Sequence, residues 1–173
     1  FLNSDDWLAD REAVSRAMET AVRSGHPEVI FGDCDVLDRD TGRPLRRLSM
    51  RWSPIAFRLG RMINHPALFT HRSYFEKYGT FDTSYRISMD FELFLRGVFK
   101  SRVVHVPAVI TNMRSGGLSM RYRSMVIEEI IRALKKNGVI RTPLGESCFR
   151  WYFALREVLH PLRLRVSELL ARI

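Results

Sequence analysis

The sequence has little cysteine and no long apolar run. Its 173 residues include 2 Cys, and Cys34 and Cys148 form no CxxC pair, which argues against a disulfide framework and a zinc site. We expect both thiols to be buried and reduced. No window approaches the ~18–20 consecutive apolar residues of a membrane span, and no segment has the pattern of a targeting peptide. With 46% apolar and 27% charged residues, the composition is that of one globular domain with a core.

Lysine is also scarce. Only 4 of the 28 basic residues are Lys, so the basic charge is carried by arginine, whose planar guanidinium binds phosphate and carboxylate groups well. The net charge of +9 is unevenly distributed, because residues 1–40 sum to −6 and residues 41–173 to +15. The bases are scattered singly without a helix-turn-helix, RNA-recognition or zinc-finger pattern, which argues against nucleic acid as the partner. An anionic partner of another kind is expected.

The predicted elements are mixed through about residue 120 and helical afterwards. Apolar runs and turn residues predict a β-hairpin over 29–50 and two short strands over 103–106 and 109–111. We therefore expect an α/β fold, with an α/β body over residues 1–120 and a basic amphipathic helical tail over 121–173.

Helical spacing defines the main predicted helices. One follows an Asp10 N-cap and buries a stripe of Val14, Ala17, Met18, Ala21 and Val22. Another starts at Asp90 and carries a Glu92–Arg96 pair on its solvent face. In the tail, helices over 149–159 and 162–170 are expected on either side of Pro161.

Adjacent carboxylates near the start of the chain are the first candidate site. Asn3, Ser4, Asp5 and Asp6 follow the apolar pair Phe1-Leu2, which indicates a polar turn at the carboxyl end of a strand. Mg²⁺ or Mn²⁺ is usually held by one or two carboxylates, water and substrate phosphates. Asp5 and Asp6 therefore fit a metal–diphosphate site, although a turn before a helix is the alternative.

Asp90 is the second candidate, because it is the only acid between Asp82 and Glu92 and lies at a predicted helix start. A carboxylate there serves either as an N-cap or as a general base held on a rigid element. His65, in the segment 64–66, and the loop over 114–119 are further candidates, with a structural histidine and an ordinary turn as the alternatives.

Four segments in order resemble motifs of the family 2 glycosyltransferases. They are FLNSDDWL (1–8), INHPALFTHRSYFEKYG (63–79), YGTFDTSYRISMDFELFLR (78–96) and NMRSGGLS (112–119). The third is similar to the family pattern G-x-F-D-x-x-Y-x-x-x-x-D-x-x-L-x-L-R. The resemblance covers residues 1–120 and implies a GT-A-type, Rossmann-like fold with a mixed sheet.

The resemblance implies an inverting transfer of a sugar from a nucleotide-sugar donor, a UDP-sugar, to a hydroxyl of a glycan or lipid-linked acceptor in polysaccharide or glycolipid synthesis. Asp90 would be the catalytic base, and Asp6, with Asp5 beside it, would bind Mn²⁺ or Mg²⁺. The implied donor-binding residues are Ser4, Asp5, Asp6, Arg114, Gly116 and Gly117. The implied acceptor-binding residues are Asn64, His65 and Met89.

The sequence also departs from the family pattern. Met89 stands where an acid often precedes the base, and residues 112–114 lack the histidine often found near the metal. The family's first strands precede the aspartate motif, so the chain resembles an N-terminally truncated, C-terminal portion of a catalytic domain. A non-catalytic remnant is one alternative.

A basic module that binds anions or a membrane surface is the other alternative, because Trp151-Tyr152-Phe153 and the arginines of the tail are typical of membrane interfaces. Tail helices that pack on the α/β body are the competing interpretation. The expected location is the cytoplasm, at the inner face of the membrane.

Overall fold

The computed structural model describes residue 2 and residues 5–170, with side chains as far as residue 159. Ser4, predicted to bind the donor, lies outside the described residues. The strands are β1 (Asp6–Leu8), β2 (Val29–Leu37), β3 (Pro44–Leu48), β4 (Leu68–Thr70) and β5 (Val103–Arg114). The helices are α1 (Ala13–Arg23), α2 (Pro54–Arg58), α3 (Arg72–Tyr78), α4 (Met89–Gly97), α5 (Leu118–Arg121), α6 (Arg123–Lys136) and α7 (Pro143–Leu170).

The described strands form one mixed sheet of five strands around β2. Strand β5 runs parallel to β2 along one edge. On the other edge, β4 pairs antiparallel with the first part of β2, and β3 pairs antiparallel with its last part. Strand β1 pairs antiparallel with the end of β5. The mixed α/β class predicted from the sequence is therefore confirmed.

Helices cover both faces of this sheet because apolar side chains alternate along β2. Ile30 and Cys34 point to the face covered by α1, where they pack with Ala13 and Ala17. Val29 and Phe31 belong to the larger cluster on the other face. That cluster includes Phe91 and Phe94 of α4, Ile130, Ile131 and Leu134 of α6, and Phe153 of α7. The helices after residue 120 therefore share a core with the body.

The predicted stripe of α1 is wrong in part. Ala13 and Ala17 are fully buried, whereas Val14, Met18 and Val22 are 39%, 42% and 61% exposed. The small alanine side chains let the helix approach the sheet closely, so the bulkier apolar residues lie beside the contact. The helix also starts later than expected, because Asp10 accepts the N–H of Glu12 in the preceding turn.

The two short strands expected over 103–111 are one strand, β5. Phe31 pairs with His105 and Asp33 pairs with Val109, so three residues of β5 lie opposite Gly32 alone. This bulge accommodates Pro107, which has no N–H to donate to a ladder. Strand β5 continues to Arg114, so only residues 115–117 separate it from α5.

Three further expectations are wrong. Helix α7 continues through Pro161, because a proline removes one helical hydrogen bond without necessarily ending the helix. Cys148 is exposed, whereas Cys34 is buried as expected. Glu92, expected on a solvent face, is 0% exposed, because the side of α4 that carries it is covered by α6. No helix among the described residues is long and apolar enough to cross a bilayer.

Candidate functional site

Asp90 lies in the first turn of α4, on the side of the sheet covered by helices α4 and α6. Ser88 occupies the N-cap position, and Asp90 Oδ1 accepts the N–H of Phe91 at 2.7 Å. Burial raises the pKa of Asp90, although the nearby charge of His65 and the N–H of Phe91 favour the ionised form. A carboxyl group with a raised pKa on a rigid helix start has the properties of a general base.

The two polar residues of the segment before β4 have different environments. Asn64 donates its side-chain N–H to the carbonyl oxygen of Leu48 at 2.6 Å, which ties this segment to β3. His65 begins a short 3₁₀ turn, His65–Ala67, and lies close enough to Asp90 to influence its pKa. Met89 is half-buried against the large core cluster. The structure therefore brings His65 and Asp90 together.

His65 also lines a cavity of about 410 Å³ beside β4. The lining is mostly apolar and includes Met18, Ile30, Phe69 and Phe94, with Arg72 and two further histidines at its polar positions. Mostly apolar cavities with a few polar groups are the usual form of small-molecule sites.

Asp5 and Asp6 lie at the carboxyl ends of β2 and β5. Asp6 is buried at the start of β1, opposite Met113, so it belongs to a strand rather than to the predicted polar turn. Asp5 lies in the turn before β1, and its carboxylate is 3.7 Å from the guanidinium of Arg39. Burial raises the pKa of the Cys34 thiol, and the neighbouring charge of Asp6 adds to this increase.

The loop after β5 joins the same end of the sheet. Ser115 donates its N–H to the carbonyl oxygen of Leu37 at 2.8 Å, and its hydroxyl accepts the N–H of Arg39 at 3.2 Å. The guanidinium of Arg114 lies 5.7 Å from the ring centre of Trp7. At Gly116 and Gly117, no described atom outside the glycine and its two chain neighbours lies within 4 Å of the place that a Cβ would occupy. The loop thus leaves open space beside the Asp5–Arg39 pair.

The carboxylates at this end fit only one kind of metal site. Within residues 5–159, no three His, Cys, Asp or Glu side chains lie close enough to hold a metal ion together. Asp5 and Asp6 alone could bind Mg²⁺ or Mn²⁺ if water and substrate phosphates supplied the other ligands. Such a site depends on a bound diphosphate.

Two polar pairs on β2 were not predicted from the sequence. Asp33 and His105 Nε2 are 2.8 Å apart, and Asp35 accepts two hydrogen bonds from Arg47 at 2.7 and 3.0 Å. The signal was the alternation of Asp33 and Asp35 within an otherwise apolar strand. Their partners could not be read from it, because they come from the neighbouring strands β5 and β3.

Glu129 of α6 is the other residue that sequence reasoning missed. Its carboxylate accepts three backbone N–H groups just before Asp90. No local pattern identifies it, since its partners lie more than 40 residues earlier in the chain. No protein-family model and no curated protein matches this chain. The functional assignment therefore depends on the residues and their geometry.

Proposed function

We propose that this chain carries the acceptor side, and part of the donor side, of an inverting glycosyltransferase site. The observation that carries the proposal is Asp90, a carboxyl group whose pKa is raised by burial, on a rigid helix start beside His65. The segment around it resembles the most specific family motif in the sequence. The mixed α/β fold is compatible with this assignment.

The proposed reaction is a single displacement. Asp90 accepts the proton of an acceptor hydroxyl while the hydroxyl oxygen forms a bond to the anomeric carbon. The bond from that carbon to the nucleoside diphosphate breaks, so the configuration inverts. A base with a raised pKa holds the proton more readily, and the nearby charge of His65 offsets part of this increase. Asn64 and Met89 would border the acceptor.

The donor side would lie at the carboxyl ends of β2 and β5. Asp5 and Asp6 would hold Mn²⁺ or Mg²⁺, which supplies positive charge to the departing diphosphate. The exposed Asp5–Arg39 pair is of a kind that contributes at most about 1 kcal/mol, so Arg39 can turn to a phosphate instead. Arg114 lies at the same end, and Gly116 and Gly117 leave the backbone open to an approaching diphosphate.

The corresponding activity would use a UDP-sugar and a glycan or lipid-linked acceptor, in the cytoplasm at the inner face of the membrane. The test is release of nucleoside diphosphate from a panel of nucleotide sugars, with Mn²⁺ and with each acceptor class. We expect release to depend on Mn²⁺ and to fall by about 10²–10⁴-fold in Asp90→Asn. Asp40→Asn, in an exposed turn, is the matched control. Full activity of Asp90→Asn would refute the base assignment.

The same assay distinguishes the proposal from a non-catalytic remnant. A remnant would release no nucleoside diphosphate from a nucleotide sugar when an acceptor is added. It would either still bind nucleoside diphosphate with Mn²⁺ or bind neither. Calorimetry with UDP and Mn²⁺ separates these outcomes. Binding without turnover for every donor and acceptor would favour the remnant.

A second candidate function is contact with a membrane surface through α7. Leu144, Trp151 and Val158 are 74%, 69% and 65% exposed, and with Leu155 they are spaced by seven, four and three residues, which places them on one side of the helix. Phe153 faces the core instead. An apolar helix face with an exposed tryptophan is typical of interfacial helices.

A further inference from the structure

One face of α6 contacts the segment that carries Asp90. Glu129, Arg132 and Lys136 are spaced by three and four residues, which places them on the same side of the helix. Each contacts residues within 82–92, more than 40 positions earlier in the chain. These three residues are called the α6 clamp below.

Glu129 holds the backbone immediately before α4. It is buried, and its carboxylate accepts the N–H groups of Arg86 at 2.7 Å, Ile87 at 3.0 Å and Ser88 at 2.7 Å. Burial alone would raise the pKa of Glu129, but the three N–H donors outweigh burial and lower it. The N-cap hydroxyl of Ser88 accepts no capping hydrogen bond from the described residues. A carboxylate from another helix thus binds the donors that precede α4.

Arg132 holds the same segment two residues further upstream. Its guanidinium donates to the carbonyl oxygen of Ser84 at 2.9 Å and lies 3.8 Å from the ring centre of Tyr85. Tyr85 is buried, so this cation–π contact lies at the edge of the core. Arg132 thus holds a backbone carbonyl of the segment, whereas Glu129 holds backbone N–H groups.

Lys136 joins both ends of the segment. Its ammonium lies 2.8 Å from the carboxylate of Asp82 and 2.9 Å from that of Glu92. Glu92 is fully buried on α4, two residues after Asp90, and also pairs with Arg96. The clamp therefore holds the chain on both sides of Asp90.

We propose that the α6 clamp positions Asp90 for catalysis, with Glu129 as the principal positioning residue. The catalytic part of this inference rests on the proposed function. Burying a carboxylate is rarely a net gain in stability over a well-packed apolar side chain, whereas three hydrogen bonds to consecutive amides define one backbone conformation. Two cations of the basic tail thereby act within the chain rather than on an anionic partner.

The test compares Glu129→Gln with Glu128→Gln. Glu128 is the adjacent residue, and its exposed carboxylate pairs with Arg150 on the outside of the helix. We expect amide hydrogen exchange of Arg86, Ile87 and Ser88 to become at least tenfold faster in Glu129→Gln and to stay unchanged in Glu128→Gln. Unchanged exchange in folded Glu129→Gln would overturn the inference.

The second readout is the pKa of Asp90, measured by NMR of its carboxyl carbon. The nearby charge of Glu129 contributes to raising this pKa, so Glu129→Gln should lower it and Glu128→Gln should not. Neither readout needs a substrate, so failure of the proposed function would leave both results interpretable.

The third readout applies where turnover is detected. A positioning role predicts a lower kcat with an unchanged donor KM in Glu129→Gln, while Glu128→Gln keeps both. If Glu129→Gln does not fold, Arg132→Gln serves the same tests, with faster exchange at the same amides and a lower kcat expected. Wild-type kcat in either folded clamp variant would overturn the positioning role while leaving the glycosyltransferase proposal intact.

Discussion

The ammonium of Lys136 lies 2.9 Å from a carboxylate oxygen of Glu92, a side chain with 0% exposure. Burial alone would raise the pKa of Glu92, but the contacts with Arg96 and Lys136 outweigh burial and lower it. A helix of the predicted tail thus neutralises a charge in the core of the body.

Lys136→Met should destabilise the fold because it removes one of the two cations beside a buried carboxylate. We expect a loss of about 1–3 kcal/mol in the free energy of unfolding, the usual range for a buried charged group that loses a partner. Lys135→Met is the control, since Lys135 pairs with Glu146 at the surface. Urea titration of both variants measures the difference, and equal stability would contradict the assigned role of Lys136.

The same pair predicts how stability depends on pH. A pKa lowered in the folded state stabilises the protein above the unfolded value of 4.5 for Glu92, and this contribution is lost as the pH falls through the folded value. The wild-type protein should therefore lose stability below about pH 4.5 more steeply than Lys136→Met. The measurement is the free energy of unfolding of both proteins as a function of pH. An equally steep loss below pH 4.5 in both would show that Lys136 does not lower the pKa of Glu92.

Asp90→Asn should increase stability at neutral pH. The raised pKa means that folding disfavours the ionised carboxyl, and each unit of increase is worth about 1.4 kcal/mol. This disadvantage is absent below the unfolded pKa of 3.8, develops as the pH rises from there to the folded pKa, and is complete above it. Thermal melts at pH 3 and pH 7 should show the gain only at pH 7. A lower Tm at pH 7 would indicate that Asp90 has a structural role.

Gly60→Ala should loosen α7 from the core. A Cβ at Gly60 would lie 2.7 Å from Cζ of Phe153, and the residue has φ +78°. Gly42→Ala is the control, because Gly42 has φ +68° and no described atom beyond its chain neighbours lies within 4 Å of such a Cβ. Both variants share the backbone strain, so the additional loss at Gly60, about 1–3 kcal/mol, reports overpacking against Phe153. An equal loss in the free energy of unfolding of Gly60→Ala and Gly42→Ala, measured by urea titration, would show that Phe153 does not pack against Gly60.

Asp6→Asn should weaken Mn²⁺-dependent binding of UDP by at least about tenfold, a loss that even outer-shell substitutions at metal sites cause. The amide keeps the shape of the buried side chain and removes its charge. Asp40→Asn, in an exposed turn, is the matched control, and isothermal calorimetry with and without Mn²⁺ is the measurement. Unchanged Mn²⁺ dependence in Asp6→Asn would exclude Asp6 as a ligand.

The combined change Trp151→Glu and Val158→Glu should abolish binding of the protein to anionic liposomes. Both side chains are exposed, so the fold should remain intact. Burying two large apolar side chains in a bilayer interface contributes about 3–6 kcal/mol, so flotation should fall more than tenfold. Ile55→Glu replaces another exposed apolar residue, 71% exposed and far along the chain from α7, as the control. Equal flotation of all three proteins would refute the membrane contact.

Local patterns in the sequence were sufficient for several elements. The hairpin of β2 and β3 follows from its apolar runs and the turn residues between them. The start of a helix near Asp90 was likewise readable, because an acid preceding an apolar helical stripe is a local feature.

The tertiary structure decided what the local patterns left open. The sequence determined that Glu92, Glu129 and Lys136 are charged residues on amphipathic helices, and helical spacing predicted a solvent face for the Glu92–Arg96 pair. The burial of Glu92 and Glu129 follows from the packing of α6 against α4, and the position of His65 near Asp90 follows from the contacts of the 3₁₀ turn His65–Ala67 with β2 and β5. These contacts join residues tens of positions apart. The stabilisation from these contacts depends on which helix and strand surfaces pack together. The spacing of residues within a single helix or strand does not specify that packing.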